Sequence, residues 1–230
     1  MWKIWRRPQR LTSFVCLAPP AVRKVLIGLL IAVAASLAQA GAYDDILAAA
    51  NDGNTSGVVE LLQRGMDVNT ADRTGSTLLM IASSNGDIPL LETLLANRAN
   101  VNRRNQVGDT ALLLAALKAR LEVVQLLIEK GADINPSGWT PLHYAIFGGS
   151  REVAALLFAK GAKLDSRAPN GQTALMLAVK LGNEDLVRLL IDADADMDLV
   201  DYEGISALAL ARKLGHDEIA AYLKKVGAVE

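Results

Sequence analysis

Two histidines, His143 and His216, and a single cysteine, Cys16, are the whole supply of these residues in a chain of 230. Nucleophilic, acid–base and zinc chemistry each need such groups to converge, so the catalytic inventory is thin. No glycine-rich phosphate loop is present. Acidic residues are missing altogether from the first forty positions, which hold six basic ones (Lys3, Arg6, Arg7, Arg10, Arg23, Lys24). The apolar stretch that follows, Val25 to Leu37, has 13 residues, short of the roughly 20 that a membrane span wants.

A basic region, an apolar core and the small residues of Ala38-Gln39-Ala40 make a secretory signal peptide over 1–40, cut between Ala40 and Gly41. The alternative is an uncleaved segment, which would make the protein a membrane-tethered scaffold. Arg6-Arg7 gives only a weak twin-arginine pattern, and Cys16 lies ahead of the apolar core rather than at a cleavage site. Without the leader, 18 basic residues face 25 acidic ones. An acidic chain with no basic stripe makes a poor nucleic-acid binder. Loss of Cys16 leaves no thiol to oxidise, which suits an oxidising compartment. A bacterial periplasmic or secreted location is the expectation.

The rest of the chain repeats itself. Five copies of one eight-residue pattern read Gly75-Ser-Thr-Leu-Leu-Met-Ile-Ala82, Gly108-Asp-Thr-Ala-Leu-Leu-Leu-Ala115, Gly138-Trp-Thr-Pro-Leu-His-Tyr-Ala145, Gly171-Gln-Thr-Ala-Leu-Met-Leu-Ala178 and Gly204-Ile-Ser-Ala-Leu-Ala-Leu-Ala211. Their glycines stand 33, 30, 33 and 33 residues apart, a period that means stacked supersecondary units. Each period holds two helical runs with apolar residues three to four apart. Thr77, Thr110, Thr140, Thr173 and Ser206 stand where a hydroxyl caps the first run. A break at Gly53, Gly86, Ala119, Gly149, Gly182 or Gly215 separates it from the second. That second run carries a Leu-Leu pair in most copies and closes on Gly65, Gly131, Gly161 or Gly227.

These motifs resemble the ankyrin repeat from about Ala42 to Ala228, most specifically through Gly-Trp-Thr-Pro-Leu-His-Tyr-Ala. The resemblance implies an all-α solenoid of about six helix–turn–helix units joined by β-hairpin-like loops, projecting as fingers. The repeat domain is expected over 41–230, in units 42–74, 75–107, 108–137, 138–170, 171–203 and 204–230. Asp44 and Asp45 replace the usual Thr and Pro, and the last unit ends in a lysine-rich helix, as solvent-facing end repeats need. One finger is short: only Pro136 and Ser137 separate Asn135 from Gly138, against five residues between Asn102 and Gly108.

The resemblance also implies a concave face that binds another protein, with no cofactor and no catalytic activity, in a monomer. Contact residues would flank the repeat glycines and the helix–helix breaks, among them Val107, Asp109, Leu117, Lys118, Trp139, Phe147, Gln172 and Leu181. Trp139 and Phe147 form the expected centre, although Trp139 could instead pack on its neighbour. The resemblance links exported bacterial proteins of this build to support of peroxide-detoxifying enzymes or to neutralising toxins as immunity partners, and nothing in the sequence chooses between the two. An enzyme hidden in an atypical repeat is the remaining alternative. His143 is read as a loop brace, and His216 as a residue at the head of a second helix. The run Asp192-Ala-Asp194-Ala-Asp196-Met-Asp198, with Glu203, has calcium-loop spacing, but Met197 sits where the sharp turn wants glycine. Solvated loop carboxylates are the expected reading, and no metal is expected to bind.

Overall fold

The helices follow one another in short, alternating pairs. In the computed structural model, which describes residues 41–229, they are α1 (Thr55–Gln63), α2 (Leu78–Asn85), α3 (Ile88–Ala96), α4 (Ala111–Leu117), α5 (Leu121–Glu129), α6 (Pro141–Phe147), α7 (Arg151–Ala159), α8 (Ala174–Lys180), α9 (Glu184–Asp192), α10 (Ala207–Leu214) and α11 (Asp217–Lys225). A further helical segment covers 41–51. The chain divides into two compact bodies, Met1–Ile46 and Leu47–Glu230. The expected leader 1–40, with Ala40, lies outside the described residues, and Gly41 is the first residue described. Among the described residues no helix is long and apolar enough to cross a membrane.

Local chemistry explains where the helices start and stop. Thr77, Thr110, Thr140, Thr173 and Ser206 each accept a hydrogen bond from the backbone N–H three residues on, satisfying a donor at the head of α2, α4, α6, α8 and α10. Pro141 occupies the first position of α6, where its missing N–H leaves no bond unmade. Between paired helices the backbone turns left-handed. Ala119 does so at φ +55° where the other repeats carry glycine. Arg98 (φ +65°) and Asp194 (φ +64°) likewise take the helix-ending position that is glycine in the other repeats.

In the larger body the first helices α2, α4, α6, α8 and α10 pack side by side, each also against its own second helix. Second helices in turn meet the second helices of adjacent repeats. One leucine of each pair in α3, α5, α7 and α9 is buried (Leu94, Leu127, Leu157, Leu190), together with Ala82, Ala115, Ala145, Ala178 and Ala211 of the first helices. Full burial of a leucine contributes about 2 kcal/mol. The alanines let neighbouring helices approach closely. At the third step the approach is closer still: a Cβ on Gly148 would lie 2.3 Å from the carbonyl oxygen of Leu117.

The loops are tied by a ladder of side-chain bonds, one rung per repeat. Asn69 accepts from the N–H of Asn100 (2.8 Å), Asn102 from Asp133 (2.9 Å), Asn135 from Lys163 (2.8 Å), Asp165 from Asp196 (3.0 Å) and Asp198 from Val229 (2.9 Å). The amides of Asn102 and Asn135 also donate to the carbonyls of Gly131 and Gly161. Within the acidic run, Asp196 accepts from the N–H of Asp198 (3.0 Å). Asp196 and Asp198 are thus engaged by loop backbone. Among the described residues no three His, Cys, Asp or Glu side chains gather as a metal would require.

Candidate functional site

Neighbouring fingers are tied by hydrogen bonds at the second and fifth steps. At the second step Gln106 donates its backbone N–H to the carbonyl of Thr74 (3.0 Å) and its side-chain amide to that of Arg73 (2.9 Å). At the fifth step the Arg167 guanidinium donates to the carbonyl of Val200, and a Cβ on Gly171 would lie 2.7 Å from Tyr202. Where the following finger is the short one, that support is gone. A Cβ on Gly108 would meet only the Arg104 side chain of its own finger, 3.9 Å away. Among the described residues no hydrogen bond joins 105–109 to 135–138.

Below this gap lies a cleft of about 300 Å³ lined by Asp109, Leu117, Trp139, His143, Tyr144 and Phe147. Four of the eight residues expected at the contact surface meet there: Asp109, Leu117, Trp139 and Phe147. Phe147, at the end of α6, is 62% exposed, a large apolar side chain left in water. Trp139 is half-buried, and its ring stands edge-on to His143, with centroids 5.6 Å apart and planes at 86°. That geometry is the favourable edge-to-face arrangement of aromatic rings.

His143 forms the inner wall and is 1% exposed. Its Nδ1 lies 2.8 Å from the Thr140 hydroxyl and accepts from the Thr140 N–H at 3.3 Å, while Nε2 lies 3.3 Å from the carbonyl of Gln172 in the next repeat. These partners select the neutral ring with its proton on Nε2. Burial holds its pKa below the ordinary 6.5, against the opposing pull of the Gln172 and Ser166 carbonyls. His143 therefore braces two repeats, as the resemblance implied.

Tyr144 is the lining residue that the motif alone does not single out. Its hydroxyl donates to Asp109, 35 residues earlier, across the two repeats. Burial first, and then the Asp109 carboxylate, push the phenol well above its ordinary value, so it remains a donor. One signal was available: the seventh place of the pattern is Ile81, Leu114, Leu177 and Leu210 in the other copies, and only here aromatic.

The remaining expected contact residues lie outside the cleft lining. Val107 is 80% exposed at its finger tip, and Lys118 and Leu181 are exposed at helix ends. Gln172 is only 9% exposed and is bonded to Asn170, so it presents little surface to a partner. His216 lies at the head of α11, its ring against Gly182.

Comparison with curated proteins gives no match. The family model for ankyrin repeats (3 copies) matches residues 45–137, 79–168 and 161–229. The matched segments cover nearly all of the paired helices, their threonine caps and the braced fingers, and the chain belongs to the ankyrin-repeat family.

Proposed function

We propose that this protein is an exported bacterial binding module that, as a monomer, seats a partner protein on its concave face at the third and fourth repeats. Ankyrin repeats mediate protein–protein interaction, and the family is generally non-catalytic. The observation that carries the reading is the cleft of Asp109, Leu117, Trp139, Tyr144 and Phe147 beneath the short finger. Binding hot spots are aromatic anchors in well-packed pockets, and Trp139 and Phe147 have that character. The basic and apolar leader supports export, with release between Ala40 and Gly41.

Trp139→Ala and Phe147→Ala should each weaken partner binding by about 2 kcal/mol or more. Pull-downs from envelope extract with the wild type and both variants, alongside circular dichroism, check this. Unchanged partner recovery with normal helical signal would move the site elsewhere. A catalase-type partner would point to peroxide defence, and a toxin to immunity. N-terminal sequencing of envelope protein tests the leader: a start at Gly41 supports release, and intact 1–40 in membranes supports a tethered scaffold.

A further inference from the structure

Aromatic residues are scarce in this chain, yet three of the seven found between 41 and 230 line the one cleft. The faces of such rings carry partial negative charge. Asp109 adds a full negative charge at the same place, fixed in position by the Tyr144 hydroxyl. The ion pairs Arg64–Glu60 and Arg188–Glu184 lie elsewhere, and among the described residues none is formed by Asp109. Two cations of the chain stand nearby without pairing to it: the Arg104 guanidinium donates to the Gly108 carbonyl (3.1 Å), and Lys118, next to Leu117, is exposed.

Consider what could fill the cleft without penalty. A purely aliphatic side chain would cover Phe147 and Leu117 but strip water from the Asp109 carboxylate with nothing in return, which is costly. An acidic side chain would face like charge. A cation satisfies both elements at once, through the ring faces and through the carboxylate. The molecule already uses half of this arrangement elsewhere: the Arg188 guanidinium lies 4.3 Å from the centre of the Tyr222 ring. A guanidinium suits the cleft better than an ammonium, because its plane stacks on aromatic faces while its edge bonds a carboxylate. A volume of about 300 Å³ falls at the lower end of the range typical of binding sites.

We propose that the cleft recognises a cationic side chain of the partner protein, arginine in preference to lysine, held between Trp139, Tyr144 and Phe147 and paired with Asp109. The proposal rests on the reading that the partner seats at this cleft.

The test follows the indole N–H signal of Trp139 in ¹⁵N-labelled full-length protein, assigned by its loss in Trp139→Phe. The probes are acetyl-glycyl-X-glycine amides with arginine, lysine, citrulline or norleucine at X. Citrulline keeps the shape of arginine and removes its charge. The arginine probe should shift the signal and bind about tenfold tighter than citrulline, with lysine between them. Asp109→Asn keeps an acceptor for the Tyr144 hydroxyl, so the fold is retained, while arginine affinity should fall about tenfold and citrulline affinity stay unchanged. Equal binding of arginine and citrulline, an unaffected Asp109→Asn, or no response to any probe overturns the cationic recognition. If pull-downs still lose the partner with Trp139→Ala in that case, the docking site stands without it. If Trp139→Ala and Phe147→Ala both leave partner recovery unchanged, the docking site fails and the proposal with it.

Discussion

Two neighbouring hollows on the same face of the repeat stack differ sharply in what lines them. The one nearer the N-terminus, about 200 Å³, is lined by Asn51, Asp72, Ser76, Met80, Ile81, Ser84, Asn85 and Leu114. Its counterpart at the third and fourth repeats is lined by Asp109, Leu117, Trp139, His143, Tyr144 and Phe147. The backbone frame is the same, and the repeat register matches the positions. Ser76 corresponds to Asp109 and Trp139, Ile81 to Tyr144, and Ser84 to Leu117 and Phe147. In the first hollow polar lining groups bond one another: Asp72 accepts from the N–H of Ser76 (2.9 Å), and the Asn85 amide donates to the carbonyl of Asn51 (3.4 Å). The second leaves apolar surface open. A few substitutions and a three-residue shortening of one finger separate a polar groove from an aromatic cleft, on the same pairing of helices.

The largest effect is expected where the cleft is built tightest. Gly148→Ala places a methyl 2.3 Å from the backbone oxygen of Leu117, which no side-chain rotation can relieve. A loss of about 3 kcal/mol in a denaturant titration is expected. A near-neutral result would mean that the α4–α6 contact is looser than the rest of the stack.

The fingers allow a matched pair. Gly171→Ala and Gly108→Ala both place a side chain at positive φ (+81° and +93°), but only the first also strikes Tyr202 of the next finger. Gly108→Ala should cost about 1 kcal/mol for its backbone conformation alone. Gly171→Ala should cost about 1 kcal/mol more, because the neighbouring finger must move. Equal melting temperatures would remove the distinction between supported and unsupported fingers.

A smaller effect should appear with pH. Burial lowers the pKa of His143 below its ordinary 6.5, so the unfolded chain takes up a proton before the folded chain does. The resulting stability is fully present above pH 6.5 and is lost as pH falls from there through the depressed folded value. Melting curves between pH 7.5 and 5.5 should steepen for the wild type relative to His143→Asn. Parallel slopes would place the ring in a more open setting than the cleft wall provides.

No effect is expected from calcium. The oxygens of Asp196 and Asp198 already accept backbone N–H groups of the loops. Occupied metal sites would add about 2.7 kcal/mol at a hundredfold excess of ion over its dissociation constant. A melting temperature several degrees higher in calcium than in chelator would overturn the loop reading of those carboxylates.

Much of the site could be read from register. Asp109 and Trp139 follow their repeat glycines, and Leu117 and Phe147 end their first helices, so periodicity alone places them on one face. Gln172 has the same register as Asp109 and Trp139, yet it is buried. The finger that follows it is full length, Tyr202 lies against Gly171, and Gln172 folds into a bond with Asn170. Register gives direction, whereas exposure depends on the length of the neighbouring finger.

The repeat, the hydroxyl caps, the left-handed breaks and the loop braces are all legible in the order of residues. Each of these is set by residues a few positions apart, or by the same position one period on. The cleft arises from stacking. The bond from Tyr144 to Asp109 spans 35 residues, Gly148 meets Leu117 across two repeats, and the missing support beside Gly108 follows from a deletion in the next finger. Local rules fix the shape of each repeat, but the surface between repeats is set by side chains that only stacking brings together.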